Sequence, residues 1–320
     1  LLSNNTVTYK KLKQFSSWFA TDIDLNRYNI TASGFSALNN TVRNYTDIFV
    51  EQKTTTPNIA TIIPENTSFL LSLSFSNAAQ LYSNKNKLLQ QQNNYYSWKK
   101  EKKHLARTVN FNYDEFVQQL DDEAGVFYSS SQNDENQYAY LKSKNSILAI
   151  GMMQGIINQD EALEYNHHII SKVNAPQIVA NLLGNILEIK STDYVTIIDD
   201  YFVFSSNQTS LQYLIDNYNS DNTLAYNSYY QKFQKQIPNT SNLYLYINPG
   251  KYVNTIVKQL NTEWKNKLHY PNDSLEKFTG FSVQFSTQKS LLYNNIMLLY
   301  DPSFTEQLSE KWYIQLDTIA

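Results

Sequence analysis

The strongest constraint on this chain is a stretch, Ile237–Leu260, whose opening recurs from Ile63. The later copy reads Ile-Pro-Asn-Thr-Ser-Asn-Leu-Tyr-Leu-Tyr-Ile-Asn-Pro-Gly, and the earlier one Ile-Pro-Glu-Asn-Thr-Ser-Phe-Leu-Leu-Ser-Leu-Ser-Phe-Ser. With a one-residue gap, Ile63-Pro64 matches Ile237-Pro238, and Asn66-Thr67-Ser68 matches Asn239-Thr240-Ser241. Each copy reads as a turn, a buried strand and a helix. After the later strand, Asn248 is placed to cap and Pro249 to occupy the first helical turn. Tyr252, Val253, Ile256, Val257 and Leu260 then share one helical face. The spacing of the two copies is too long for a solenoid, so it predicts duplicated α/β subdomains. Ser33-Gly34-Phe35-Ser36 and Thr279-Gly280-Phe281-Ser282 add a second recurrence.

Apolar spacing elsewhere predicts paired strands with helices between the pairs. Asn29–Leu38 follows a strand ending at Leu25, with the turn near Asn26-Arg27. Glu123–Ser130 pairs with Gln137–Lys142, Tyr194–Phe204 folds back at Asp199-Asp200, and Phe278–Phe285 pairs with Leu291–Tyr300. Glu161–Lys172 resembles an edge strand. Leu211, Leu214, Ile215 and Tyr218 recur as one face of a helix. Trp98–Arg107 is basic and reads as a solvated helix or long connection. Trp312–Ile319 reads as one more strand or an extended tail. Adjacent antiparallel pairs separated by helices predict an α+β fold: mostly antiparallel sheets, with helices on one face of each. We expect two α+β lobes, residues 1–160 and 161–320, either separate or joined as one continuous two-lobed unit.

Composition removes several functional classes. The chain has no cysteine, which excludes disulfides, thiolate metal sites and a cysteine nucleophile. Its net charge of -3 offers no electrostatic case for nucleic acid. No run reaches the ~18 apolar residues of a membrane span. Leu1 is not an initiator and no signal-peptide pattern follows it. We therefore expect a processed or trimmed chain, with any export signal or lipid anchor in the segment before it.

No phosphate loop, dinucleotide fingerprint or serine elbow occurs. Sequons such as Asn44-Tyr45-Thr46 are expected by chance in a chain this rich in Asn. His167 and His168 lie close to Glu164, but no helix or strand puts all three on one face, and His104 and His269 are isolated. A surface pair of histidines explains them better than a metal site, which needs several converging ligands. Asp121-Asp122-Glu123 is the one acidic run that acid–base chemistry could use, if one carboxyl were buried with a raised pKa. The plainer reading is a solvated helix–strand junction. Asp199-Asp200 belongs to a turn, and Asp22 and Asp24 alternate with Ile23 and Leu25 as the outward face of a strand.

The tyrosines are more informative. In Leu243–Ile247, Tyr244 and Tyr246 share one face, and Leu243, Leu245 and Ile247 the other. The tyrosines either lie under helices that cover both faces of a sheet, or form an aromatic binding surface. Tyr229 and Tyr230 join Tyr244 and Tyr246 as the binding candidates.

One further pattern is a resemblance. Tyr194–Phe204, Ser205-Ser206, the helix Leu211–Tyr218 and Asn222-Thr223-Leu224-Ala225 form a phrase: a hairpin ending in Phe-Ser, a short helix, then Thr-Leu-Ala before an aromatic helix. With the Ile-Pro-Asn-Thr-Ser strand start and the Gly-Phe-Ser strand, it resembles an uncharacterised family of bacterial envelope proteins, the domain of unknown function three-three-five-two, over Ile63–Tyr300. The resemblance implies an exported, often lipid-anchored protein of Gram-negative bacteria. It carries no catalytic residues to transfer. We expect a non-enzymatic scaffold or binding subunit in the periplasm or at the cell surface. It would take no cofactor, and its partners would be other envelope proteins. The alternative is an exported glycan-binding or glycan-cleaving protein using Asp121, Asp122 or Glu123.

Overall fold

The structure is a computed structural model and describes residues 20–38, 44–91, 95–131, 134–183, 189, 192–252 and 277–303. Its strands are β1 (Ala20–Leu25), β2 (Asn29–Ala37), β3 (Thr67–Ser74), β4 (Leu120–Ser131), β5 (Asp134–Ser143) and β6 (Ile157–Tyr165). β7 (His168–Val173), β8 (Tyr194–Ile198), β9 (Tyr201–Ser205), β10 (Leu243–Ile247), β11 (Phe278–Gln288) and β12 (Leu291–Tyr300) follow. All join one 12-stranded sheet in the order β1-β2-β12-β11-β10-β3-β4-β5-β9-β8-β7-β6. Every pairing is antiparallel. The chain is α+β, as its paired strand patterns predict. The expected division after residue 160 falls inside β6, and the sheet runs on without a break.

The two copies of the Ile-Pro motif lead into neighbours. β3 and β10 lie side by side, with Phe69 opposite Ile247 and Leu73 opposite Leu243. Outside β3 lies the long hairpin β4–β5, and outside β10 the long hairpin β11–β12. The ungapped alignment from Pro64 and Pro238 is the one that keeps side chains on matching faces. It equates Leu71 with Leu245, which are cross-strand partners. The gapped Asn-Thr-Ser match, carried into the strand, would turn every residue to the opposite face. Thr223 and Leu224 anchor the first copy: Pro64 forms a bridge with Thr223, and the Leu224 N–H donates to the Ile63 carbonyl at 2.8 Å. The two Gly-Phe-Ser copies sit on β2 and β11, both neighbours of β12, so they are not related by the exchange of halves.

Helices cover both faces of the sheet, not one. On the first face lie α1 (Ala78–Gln91), α2 (Tyr95–Thr108), α3 (Tyr113–Gln119), α4 (Ser146–Met153) and α5 (Ile178–Leu183). Their apolar residues share a core with Phe69, Leu71, Leu73, Ala124, Val126 and Leu243. On the second face, α6 (Gln208–Asn219) and α7 (Ser228–Gln234) share a core with Leu70, Phe127, Tyr138, Tyr140, Tyr244 and Tyr246. Alternation along each strand supplies both cores, because successive side chains point to opposite faces. Asn caps recur: Asn112, Asn145, Asn207 and Asn227 each accept from N–H groups in the first turn of α3, α4, α6 and α7. Such caps satisfy donors that the helix itself leaves open.

Trp98 is the one buried residue of α2. It packs edge-on against Tyr113 at 4.9 Å, and its indole N–H donates to Asn86 at 3.2 Å. Lys85 is buried beneath it, its ammonium 4.5 Å from the Trp98 ring and 4.7 Å from Tyr82, donating to the Asn181 carbonyl. Burial, and then the charge of Lys102, lower its pKa to about 7. After β10, residues 249–252 are helical and Tyr252 packs on Phe69 at 5.5 Å. The rest of that helical face, and Trp312–Ile319, lie outside the described residues.

Candidate functional site

Tyr244 and Tyr246 are not a surface. Each is 1% exposed and lies under α7, with the Tyr246 ring 4.9 Å from Tyr230 and 5.6 Å from Phe233. Gln234 donates to the Tyr244 hydroxyl at 3.1 Å. Burial raises both phenols, and Tyr230, itself buried, is pushed up to about 12 for the same reason. Their expected binding role is corrected for a physical reason: α7 crosses the second face and needs an apolar floor. Of the four candidates, Tyr229 alone reaches solvent in part, beside the Lys232 ammonium at 5.2 Å.

The acidic run splits in two. A register shift between Leu120 and Ala124 lets consecutive carboxylates meet one cation. Lys142 reaches Asp122 at 2.9 Å and Asp121 at 3.2 Å. Burial alone would lower the Lys142 pKa, but those two carboxylates raise it overall. Glu123 turns the other way and is 2% exposed. One carboxylate oxygen accepts from the Asn58 N–H at 2.7 Å and the Tyr201 hydroxyl at 2.9 Å. The other accepts from Ser72 at 3.0 Å and Tyr140 at 3.1 Å. Burial holds its pKa above the ordinary carboxylate value, against the opposing pull of those four donors. Gly125 makes room for this knot, since a Cβ there would lie 2.8 Å from the Tyr140 hydroxyl. Glu123 therefore ties β3, β4, β5 and β9 to the segment at Asn58. The three acids do not form the facing pair across a groove that glycan cleavage requires.

His168 sits at the start of β7 with Nδ1 3.1 Å from the Ile197 carbonyl, and His167 occupies the preceding turn with φ 67°. Among the described residues, no three His, Asp or Glu side chains gather as a metal site would need. Asp199 takes a positive φ of 51° in the β8–β9 turn and accepts from Tyr218.

The surface that stands out is one the alternation of Asp22 and Asp24 concealed. Two apolar rows run across five strands on the first face. Leu245, Val283, Ile296, Ala32 and Ile23 form one, and Ile247, Phe281, Leu298, Ile30 and Leu25 the other. Both are half-buried toward the middle and open at β1, where Ile23 is 69% and Leu25 68% exposed. Ile30 is 43% exposed beside them. Contiguous apolar side chains of this kind mark interaction sites on folded proteins. Among the described residues β1 is also an outermost strand, with a regular ladder to β2. The opposite edge, β6, carries Asp160, Glu161 and Glu164 and a register shift between Asn158 and Leu163. Charge and irregularity blunt β6 against pairing; β1 carries Asp22 and Asp24 on one face only, and its ladder has no irregularity. Gly34 allows β1 its close approach, since a Cβ there would fall 1.8 Å from the Ala20 carbonyl oxygen. Gly34→Ala is therefore expected to loosen β1 from β2, at about 1–3 kcal/mol as overpacking does. Hydrogen exchange over residues 20–25 reads this, and unchanged protection there would refute it.

Comparison with known proteins gives a family but no activity. The family described as "Protein of unknown function (DUF3352)" matches residues 30–297. No curated protein matches the chain. A solved structure, crystal form I of TP0453, is similar at 10% identity, with 81% of this chain and 85% of that chain covered and a TM-score of 0.32.

Proposed function

We propose, starting from the fact that this chain belongs to the family described as protein of unknown function DUF3352, that it is a non-enzymatic binding subunit of a protein assembly in the bacterial envelope. The observation that carries the reading is the β1 end of the sheet. There, among the described residues, two apolar rows reach an outermost strand whose ladder to β2 is regular, with Asp22 and Asp24 confined to the opposite face from Ile23 and Leu25. An added strand gains backbone hydrogen bonds from such an edge, while the apolar rows favour partners with matching side chains. The partner is thus a protein that presents an extended segment with apolar residues at every second position. Envelope location follows the family resemblance of the Thr223-Leu224-Ala225 phrase and the strand starts.

The test is site-specific crosslinking in living cells. A photoreactive phenylalanine analogue replaces Ile23 in one strain and Glu161, on the blunted edge, in another. A discrete protein adduct is expected from position 23 and none from position 161. Adducts of equal yield at both positions, or none at 23, would sink the proposal. In the same assay, Ile23→Ser with Leu25→Ser is expected to abolish an adduct formed from position 30. These side chains are exposed, so the change leaves thermal stability within about 0.5 kcal/mol.

A further inference from the structure

A second surface lies on the helical layer over the first face, remote in sequence from β1 and independent of the β1 reading. α2 carries five basic residues, Lys99, Lys100, Lys102, Lys103 and Arg107, against one acid, Glu101, in a chain whose net charge is -3. Helical geometry sorts them. Trp98 faces the core, and Lys102 is drawn to Asp114 at 2.6 Å. Tyr96, Lys99, Lys100, Lys103 and Arg107 follow one another at i, i+3, i+4, i+7 and i+11, so they form one outward stripe. All five are exposed, Tyr96 at 83%. Among the described residues no carboxylate pairs with the four cations of this stripe.

The neighbouring helix is of the opposite character. α4 contains no charged residue, yet Ile147 is 79% and Leu148 55% exposed on it. Its inner side, Ala149 and Met153, is fully buried in the same core that holds Trp98. The segments that follow α2 and α4 meet, since a Cβ on Gly155 would lie 1.7 Å from the Val109 carbonyl oxygen. A cationic stripe with an exposed tyrosine and a short helix with two exposed apolar residues thus belong to one helical layer, each opposite inner residues that share the same core.

We propose that this face docks on an anionic lipid bilayer. Lysines and an arginine in line attract acidic headgroups, a tyrosine suits the headgroup boundary, and Ile147 and Leu148 enter the acyl edge. An acidic protein would satisfy the cations but would leave the apolar tip of α4 without a role. A bilayer uses both features at once.

Vesicle flotation tests it with the whole chain. The protein is expected to float with phosphatidylglycerol–phosphatidylcholine vesicles at low salt, and to stay behind with phosphatidylcholine alone. Lys99→Gln with Lys103→Gln should weaken binding about twenty-five-fold, from about fivefold per cationic side chain near the surface. Ile147→Ser with Leu148→Ser should weaken it by at least about tenfold without changing the charge. Circular dichroism of both variants should match the parent, because all four side chains are exposed. Failure of the parent chain to float with acidic vesicles overturns the proposal, as does unchanged flotation of the lysine variant or of the Ile147–Leu148 variant. None of these results bears on crosslinking from position 23.

Discussion

Replacing Glu123 by alanine is expected to cost about 3–5 kcal/mol, among the largest effects available in this chain. The substitution removes the common acceptor of Ser72, Tyr140, Tyr201 and the Asn58 N–H inside the buried core. Hydroxyls can rotate toward other partners, but the Asn58 N–H cannot, and each donor left without a partner costs about 1–3 kcal/mol. Glutamine at the same position should cost less than about 1.5 kcal/mol, within the range of a single net hydrogen bond. Its carbonyl oxygen can face Asn58 and Tyr201, while its amide donates to the oxygens of Ser72 and Tyr140. Equal losses for the two variants in chemical denaturation would contradict this account. The pH dependence has a definite sign. Glu123 holds its proton more tightly folded than unfolded, because burial raises its pKa. That proton contributes stability below the ordinary carboxylate pKa of about 4.3, and the contribution is lost as pH rises through the folded value. Glu123→Gln removes the titration, so parent and variant profiles should diverge across that window. Parallel profiles would show that the group does not titrate as described.

The second large effect concerns the two tyrosines under α7. Tyr244→Ala and Tyr246→Ala are each expected to cost about 3–5 kcal/mol, as loss of a large buried ring does. Tyr244→Phe keeps the ring and loses the bond from Gln234, so it should cost about 1 kcal/mol. Thermal denaturation of the three variants orders them. A stable Tyr246→Ala chain that unfolds like the parent would mean that the ring makes no core. The result also separates the two readings of Leu243–Ile247, since binding residues tolerate alanine and core residues do not.

How legible the fold was depends on the kind of information each feature needs. The β8–β9 hairpin could be read because its signals are local: alternating Val195, Ile197, Phe202 and Phe204 around Asp199-Asp200. The same holds for α6, whose Leu211, Leu214 and Ile215 recur at helical spacing. Local pattern failed at Tyr244 and Tyr246. Period-two alternation shows that two residues share a face, but whether a helix crosses that face depends on where distant α7 packs. It failed in the opposite sense at β1. Ile23 and Leu25 alternate with Asp22 and Asp24 as a half-buried strand should, yet both faces of β1 are exposed. Glu123 was visible as part of an acidic run, but not as the member that turns inward. That choice follows from the strand register and from the space at Gly125, both set by neighbouring strands.

Local chemistry alone determined the elements of this protein and its antiparallel habit. Hairpin turns, asparagine caps and apolar periods act over a few residues, and the two Ile-Pro strand starts announced a recurrent unit. Tertiary structure decided that the twelve strands form one sheet with β3 and β10 side by side, and so which faces are core and which are open. Burial is a property of an assembled surface: a leucine stripe looks the same in sequence whether or not another element lies over it. The two surfaces proposed for binding, the β1 edge and the outward stripe of α2 with the tip of α4, were therefore visible only once the layers had been placed.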